Sequence, residues 1–323
     1  MKVQMGLPRE ARSGELVALD LETFGQERPH RPSGTFASLS VAYEKGPVYL
    51  VTDKADIKEA VERVKPGVWV MQNALYDIRM LRHWLGGLPE RYIHDTMLVD
   101  MDLFGGLYSL FGLGHLTRRW LETFVSKDLQ KEFIAATSLT KDLEAYAAAD
   151  AWSTVRIARK QLDYIEEDLG GDFRWYAEID QPCIWAVLDM APIRIDGEGW
   201  GTHADEMEAE GARLQEALGF NVKSPKQVIA ALGMPDGTST KADNLDTWLE
   251  EAEAAGSKKR AALLRDIIEV RNLRDAASKY GRNWLEFVED GYIHPSWKVV
   301  GAPTGRMACS EPPMQQVPIR EHP

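Results

Sequence analysis

The chain is 323 residues long, with 44% hydrophobic and 27% charged residues and a formal net charge of −12. That length allows two domains and a substantial core, and the balance is that of an ordinary globular protein. No apolar run approaches the ~18 residues of a membrane span, and the acidity argues against a protein that coats nucleic acid through bulk charge.

An enzyme that grips a few nucleotides through metals and local contacts stays compatible with that charge. The opening Met1-Lys-Val-Gln-Met-Gly6 lacks the apolar centre of a signal peptide, so the expected location is a cytoplasm, with no membrane partner. Cys183 and Cys309 show no CxxC or Cys/His spacing, which reads as two reduced thiols and argues against structural zinc.

In chain order, Glu15 to Thr23 alternates as a strand does, Leu19 and Leu21 pointing one way and Asp20 and Glu22 the other. Gln26 to Gly34 is rich in Pro, Arg and His and reads as a loop. Thr35–Tyr43 and Val48–Val51 read as a hairpin turned by Glu44-Lys-Gly-Pro47. A helix is expected over 55–64, a buried strand over 68–71, and a helix from Asn73 to Trp84. Further helices follow from Asp95 as N-cap, near His115 to Thr123, and from Lys141 to Leu169. Leu169-Gly-Gly-Asp172 is the first plausible joint, and the texture beyond it is mostly helical. Helices are expected over 173–190, from Ser224-Pro225, from Thr238-Ser-Thr240 to about Ala255, and from Lys258 to Val288. Ile193–Asp196 and Tyr292–Val300 read as extended, and the Pro-rich residues after Gly301 as irregular.

The chemistry concentrates in three acidic stretches. Asp20 and Glu22 share a strand face roughly 7 Å apart, which is either the solvated face of an edge strand or a seat for a divalent cation with hard oxygen ligands. Asp77 lies one turn into the helix that follows a strand, and the carboxyl end of a strand is where open α/β sheets bind ligands. Tyr146 and Asp150 are spaced i, i+4 and share one helical face, about 6 Å apart at Cβ. The alanines between them let that helix approach a neighbour closely. Asp95 reads as a helix cap, Asp100 and Asp102 as a solvated helix face, Tyr76 as a core aromatic, and His83, His94 and His115 as structural or exposed. Asn73 is a candidate contact to a nucleic-acid strand.

Asp20-x-Glu22, Asn73-x-x-Tyr76-Asp77 and Tyr146-x-x-x-Asp150 resemble, in order and type, the three motifs of the DEDDy branch of the DnaQ-like 3'-5' exonucleases. The resemblance implies an α/β, ribonuclease H-like mixed-sheet domain and hydrolysis of the terminal phosphodiester of DNA with two divalent ions, Mg²⁺ or Mn²⁺. It also implies roles. Asp20 bridges both ions, Glu22 and Asp150 complete the tighter site, Asp77 holds the second ion largely through water, and Tyr146 with Glu22 orients the attacking water. Four clustered carboxylates repel one another, and two cations relieve that repulsion.

From about Asp180 the chain resembles family A DNA polymerases. The segments are Asp180-Gln-Pro to Asp196, Asn221 to Gln227, Thr238 to Thr240, Ile268 to Arg274 with Ser278-Lys-Tyr280, and Thr304-Gly-Arg306 to Arg320. They imply a mainly helical thumb-like region that rides on a primer–template duplex, followed by the opening of the palm. Arg306 is a candidate nucleic-acid contact; Pro313 and Gln316 depart from the family pattern. The expected division is residues 1–170 for the exonuclease domain and 171–323 for the thumb-like region.

The catalytic palm aspartates and finger helix of that family are not in this sequence, so nucleotide addition by this chain alone is not expected. A second chain carrying palm and fingers is the expected partner, beside a single-stranded or frayed DNA 3' end, in a bacterial or phage-infected cytoplasm. Two other readings compete with a proofreading exonuclease: a DEDDy ribonuclease trimming RNA 3' ends, and a non-catalytic subunit that only holds a polymerase. Phe24, Phe104 and Tyr108 are candidate stacking residues for the frayed strand.

Overall fold

Six segments rich in Val, Leu and aromatic residues pair into one sheet: β1 (Val3–Met5), β2 (Leu16–Phe24), β3 (Thr35–Tyr43), β4 (Val48–Val51), β5 (Val68–Met71) and β6 (Ile93–Asp95). This computed structural model describes residues 1–25, 28, 33–123, 128–302 and 304–317. The loop expected at Gln26–Gly34 and the Pro318–Arg320 end of the last segment fall largely outside them. The strand order is β1-β4-β3-β2-β5-β6. β2, β3 and β4 form the expected antiparallel meander, while β5 and β6 add in parallel to β2, giving a mixed sheet. β1 and β6, three residues each, are too short to show alternation in the sequence.

Helices cover both faces. α6 (Lys141–Leu169), the longest helix, lays Ala148, Ala151, Val155 and Ala158 on Leu16, Ala18, Ala42, Val48 and Val70. The opposite face, with Val17, Leu19, Leu21, Leu39, Val41 and Trp69, packs against α1 (Ile57–Val64) and α2 (Ala74–Leu85) through Ile57, Val61, Ile78 and Leu81. The remaining helices here are α3 (Thr96–Phe104), α4 (Leu113–Leu121), α5 (Glu132–Ala135) and α7 (Gln181–Asp189). This α/β/α arrangement is the mixed-sheet class expected from the sequence.

Met1–Ala191 and Pro295–Gln315 form one compact unit. The Gly170-Gly171 joint lies inside it. Past that joint a turn of π-helix, Tyr176–Asp180, leads into α7. Its fully buried Tyr176 donates its hydroxyl to the Ile93 carbonyl (2.7 Å) and accepts the Asp95 N–H (2.8 Å), tying the segment to the end of β6. Val299 and Val300 return to the same core.

Asp100 and Asp102 do not form a solvated face. Asp100 is fully buried, ion-paired with Arg119 and accepting the Trp120 indole N–H at 2.7 Å. Asp102 is half-buried beside Asp180, and burial together with that carboxylate pushes it up to about 8. Periodicity alone could not place partners 19 or 78 residues away along the chain.

Pro192–His294, with residues 316–317, forms the second unit. It is mainly helical: α8 (Gly197–Leu218), α9 (Pro225–Leu232), α10 (Ala242–Ala254) and α11 (Lys258–Tyr280), with a small sheet in which β9 (Tyr292–Ile293) lies between β7 (Ile193–Arg194) and β8 (Val288–Glu289). Glycines 197, 199, 201 and 211 dilute the helical pattern of α8, so the sequence does not announce it. Asp196 nonetheless caps it through the Gly199 N–H, and a side chain at Gly199 would collide with that carboxylate. α9 starts at Ser224-Pro225 as expected.

Two expectations need correcting. The helical stretch expected over Lys258–Val288 is divided rather than continuous: α11 stops at Tyr280, the backbone at Gly281 leaves no room for a side chain against the Ala277 carbonyl, and a 3₁₀ helix follows over Arg282–Phe287. α10 begins at Ala242, after the Thr238–Thr240 stretch expected to open it, because the end of that stretch is held instead by Arg271. Its guanidinium donates to the Val222 carbonyl (2.9 and 2.7 Å) and to the Thr240 carbonyl (2.5 Å). Among the described residues, no helix is long and apolar enough to cross a membrane.

Two outcomes follow. Arg271→Ala leaves those carbonyls without a donor and lowers stability by about 1–3 kcal/mol in denaturant unfolding; Arg271→Lys does not restore it, because a point ammonium cannot reach both acceptors. Asp102 binds its proton more tightly in the folded chain than in the unfolded one, so its ionisation opposes folding increasingly as pH rises from the ordinary carboxylate range to about 8. Asp102→Asn cannot ionise, so its melting temperature relative to wild type is higher at pH 9 than at pH 5. Equal offsets at both pH values contradict this.

Candidate active site

β2 carries the first two acids. Its residues Leu16 and Ala18 sit under α6, and because side chains alternate, Asp20 and Glu22 point to that same face two and four residues further on. α6 crosses there with Tyr146 and Asp150, one turn apart on a single stripe. Small side chains at Ala147, Ala148 and Ala151, all fully buried, bring the helix axis close enough for its carboxylate to reach the strand's. As a result Asp20, Glu22 and Asp150 each place an oxygen within 4.8 Å of the others.

Asp77 approaches from the edge of β2. β5 pairs with β2 only over Leu16–Ala18, and past that point the Leu21 N–H is taken by the Asp77 carboxylate at 2.9 Å. Asp77 is buried, and burial first, then the charge of Asp20, raises its affinity for a proton well above the carboxylate range. It thus belongs to the same constellation, bonded to the backbone between Asp20 and Glu22. Beside it, Tyr76 shares a hydrogen bond with the Thr23 hydroxyl and packs against the core, as a core aromatic should.

Tyr146 is 6% exposed and within hydrogen-bonding reach of Asp150. Burial and then the charges of Asp150, Glu22 and Asp20 push its phenol far up, so it holds its proton at any physiological pH and serves as a donor. Phe133 packs on Tyr146, with ring centroids 6.0 Å apart, and Phe24 stacks on Phe133 at 6.1 Å.

The strand-to-helix junction depends on Asp95. As expected it caps α3, accepting the Met97 N–H at 2.9 Å, but it also accepts the N–H groups of Asn73 (3.0 Å) and Ala74 (2.7 Å). One carboxylate thereby fixes the starts of two helices, a second role that no local sequence pattern shows. Asn73 is exposed and left-handed (φ 63°, ψ 57°), a conformation that asparagine tolerates better than most residues. His94 is buried against Gln161 at 3.0 Å and stays neutral, its pKa lowered by burial to about 4; it is structural.

The other candidates lie outside the acid cluster. Arg306 is exposed on the turn between β10 (Ser296–Lys298) and β11 (Ala308–Ser310). Phe104 is half-buried among Tyr108, Trp120 and Tyr164. Tyr108 is 48% exposed, with the Arg119 guanidinium 3.8 Å from its ring centre.

The donor set fits a divalent cation. Three carboxylates supply hard oxygen ligands within one coordination sphere of each other, with no histidine or cysteine among them, a set that suits Mg²⁺ or Mn²⁺ better than zinc. Among the described residues no other group of His, Cys, Asp and Glu comes together in this way.

Comparison with known proteins agrees with this geometry. Residues 7–165 match the 3'-5' exonuclease family model, and residues 197–323 match the DNA polymerase family A model. DNA polymerase I of Rhizobium leguminosarum is 27% identical over 78% of this chain and 26% of its own length. DNA polymerase I of Pseudomonas aeruginosa is 25% identical over 97% of this chain and 38% of its own length. The chain therefore spans about a quarter to two-fifths of these curated relatives. The polymerase domain of Pol1 from M. smegmatis, solved with DNA primer-template and dNTP, has the same fold at a TM-score of 0.74, with 18% identity over 99% of this chain and 57% of that one. By these matches residues 7–165 belong to the 3'-5' exonuclease family and residues 197–323 to DNA polymerase family A.

Proposed function

We propose that the protein removes nucleotides one at a time from the 3' end of DNA as the proofreading part of a family A polymerase, using divalent metal ions. The meeting of Asp20, Glu22 and Asp150 within 4.8 Å on one face carries this reading. Bound cations supply activation of a water and stabilisation of the leaving 3'-oxygen. Asp20, Glu22 and Asp150 would hold one ion, and Asp20 with Asp77 would hold a second. Tyr146, protonated throughout, donates a hydrogen bond that holds the attacking water, and Glu22 accepts one from it. Water adds to the terminal phosphorus, the P–O bond to the 3'-oxygen breaks, and a 5'-mononucleotide leaves with a new 3'-hydroxyl behind it.

The same reading gives residues 1–170 to hydrolysis and 171–323 to grip on a primer–template duplex, with Asn73 and Arg306 as contacts to the nucleic acid. The DNA polymerase I relatives and the primer–template in the Pol1 structure support DNA as the substrate over RNA.

Purified protein is expected to shorten a 5'-labelled single-stranded DNA from its 3' end in Mg²⁺ or Mn²⁺, and to stop in a chelator. Asp20→Ala removes a ligand and lowers the rate by more than roughly a hundredfold. Tyr146→Phe keeps the fold and lowers the rate by roughly a hundredfold. A wild type as inert as Asp20→Ala contradicts catalysis and leaves a binding subunit. Faster cleavage of the matched RNA contradicts the DNA assignment.

A further inference from the structure

Ser40 and Ser38 stand on β3 directly opposite Asp20 and Glu22. Residues paired in this way across antiparallel strands share a face, with Cβ atoms about 4.5–5.5 Å apart. The two hydroxyls and two carboxylates therefore form one block beneath α6. Both serines are 0% exposed, and each Oγ is buried with no hydrogen-bond partner. Buried hydroxyls are nearly always paired, so two orphans on adjacent same-face positions call for an explanation. Close packing under the helix does not require them. Ala42, the next residue on that face, packs with Ala148, Ala151 and Val155. On the strands under the helix, Leu16, Ala18, Ala42 and Val48 are apolar and the buried hydroxyls of Ser38 and Ser40 stand beside the acids, while the unpartnered hydroxyls of Ser153 and Thr154 belong to α6 itself.

We infer that Ser38 and Ser40 are positioning residues for the cation site, each hydroxyl turning, once a cation is bound, to donate to the facing carboxylate's oxygen that the cation leaves free, Ser40 to Asp20 and Ser38 to Glu22. A carboxylate that gives one oxygen to a cation presents the other as a strong acceptor, and an outer hydrogen bond of this kind fixes its orientation and strengthens its hold. The inference rests on the metal-dependent reading above and adds two residues to it. The three family motifs include neither serine.

The test is Mn²⁺ binding by calorimetry to wild type, Ser38→Ala, Ser40→Ala and the double variant, with melting curves in chelator and in Mn²⁺. Removing an unpaired buried hydroxyl leaves the melting temperature in chelator equal or higher. Mn²⁺ affinity is expected to fall roughly tenfold in at least one single variant and further in the double, with a smaller rise in melting temperature on adding Mn²⁺. Variants that bind Mn²⁺ like a wild type that binds it overturn this inference alone. A drop in chelator stability with unchanged affinity assigns the serines to packing and also overturns it. A wild type that does not bind Mn²⁺ overturns the cation reading and this inference with it.

Discussion

Like-charge repulsion between carboxylates held together by apolar packing is the constraint on which this structure turns. At 4.8 Å and a partly buried dielectric, each pair of ionised acids opposes folding by roughly 3 kcal/mol, a sizeable fraction of a domain's net stability. The cluster persists because the elements bearing it are fixed elsewhere: β2 by its ladders to β3 and β5, α6 by its alanine and valine stripe on Leu16, Ala18 and Val70. Such a site is held in place before any ligand arrives. A divalent cation would relieve these unfavourable electrostatics, so under the proposed function the instability and the chemistry share one origin.

The junction after β5 shows how local chemistry extends this. The end of the β2–β5 ladder frees the Leu21 N–H for Asp77, and Asp95 holds the start of α2 so that Asp77 meets it. Tyr176, anchored by both its hydrogen bonds to the end of β6, supports Asp95 in turn. Hydrogen bonds thus run from Tyr176 to Asp95 and on to the N–H groups of Asn73 and Ala74 at the start of the helix that carries Asp77. The phenol and the backbone groups constrain position without charge, while the Asp95 carboxylate adds to the repulsion that Asp77 feels.

Much of this was legible in the sequence. Alternation placed β2 and β3, the turn at Glu44–Pro47 placed β4, a short apolar run placed β5, and helical spacing placed α6 from Lys141 to Leu169. The acids that approach one another here are those whose order and spacing stood out. What the sequence concealed was long-range pairing: Asp100 with Arg119, Asp102 with Asp180, Arg271 with Val222 and Thr240, and Asp95 with Asn73. An aspartate on a helix reads as solvated until its distant partner is known. Glycines hid α8, while Gly281, which the backbone requires, ended α11 earlier than its composition suggests.

The central claim is that Asp20, Glu22 and Asp150 form a single seat for a divalent cation. Crystals of the protein grown or soaked in Mn²⁺, measured at the manganese absorption edge, test it most directly. The account predicts an anomalous peak bounded by oxygens of all three carboxylates, weakened or lost in Asp150→Asn crystals. Anomalous peaks confined to other acidic surfaces, with these three carboxylates in contact with no ion, contradict it.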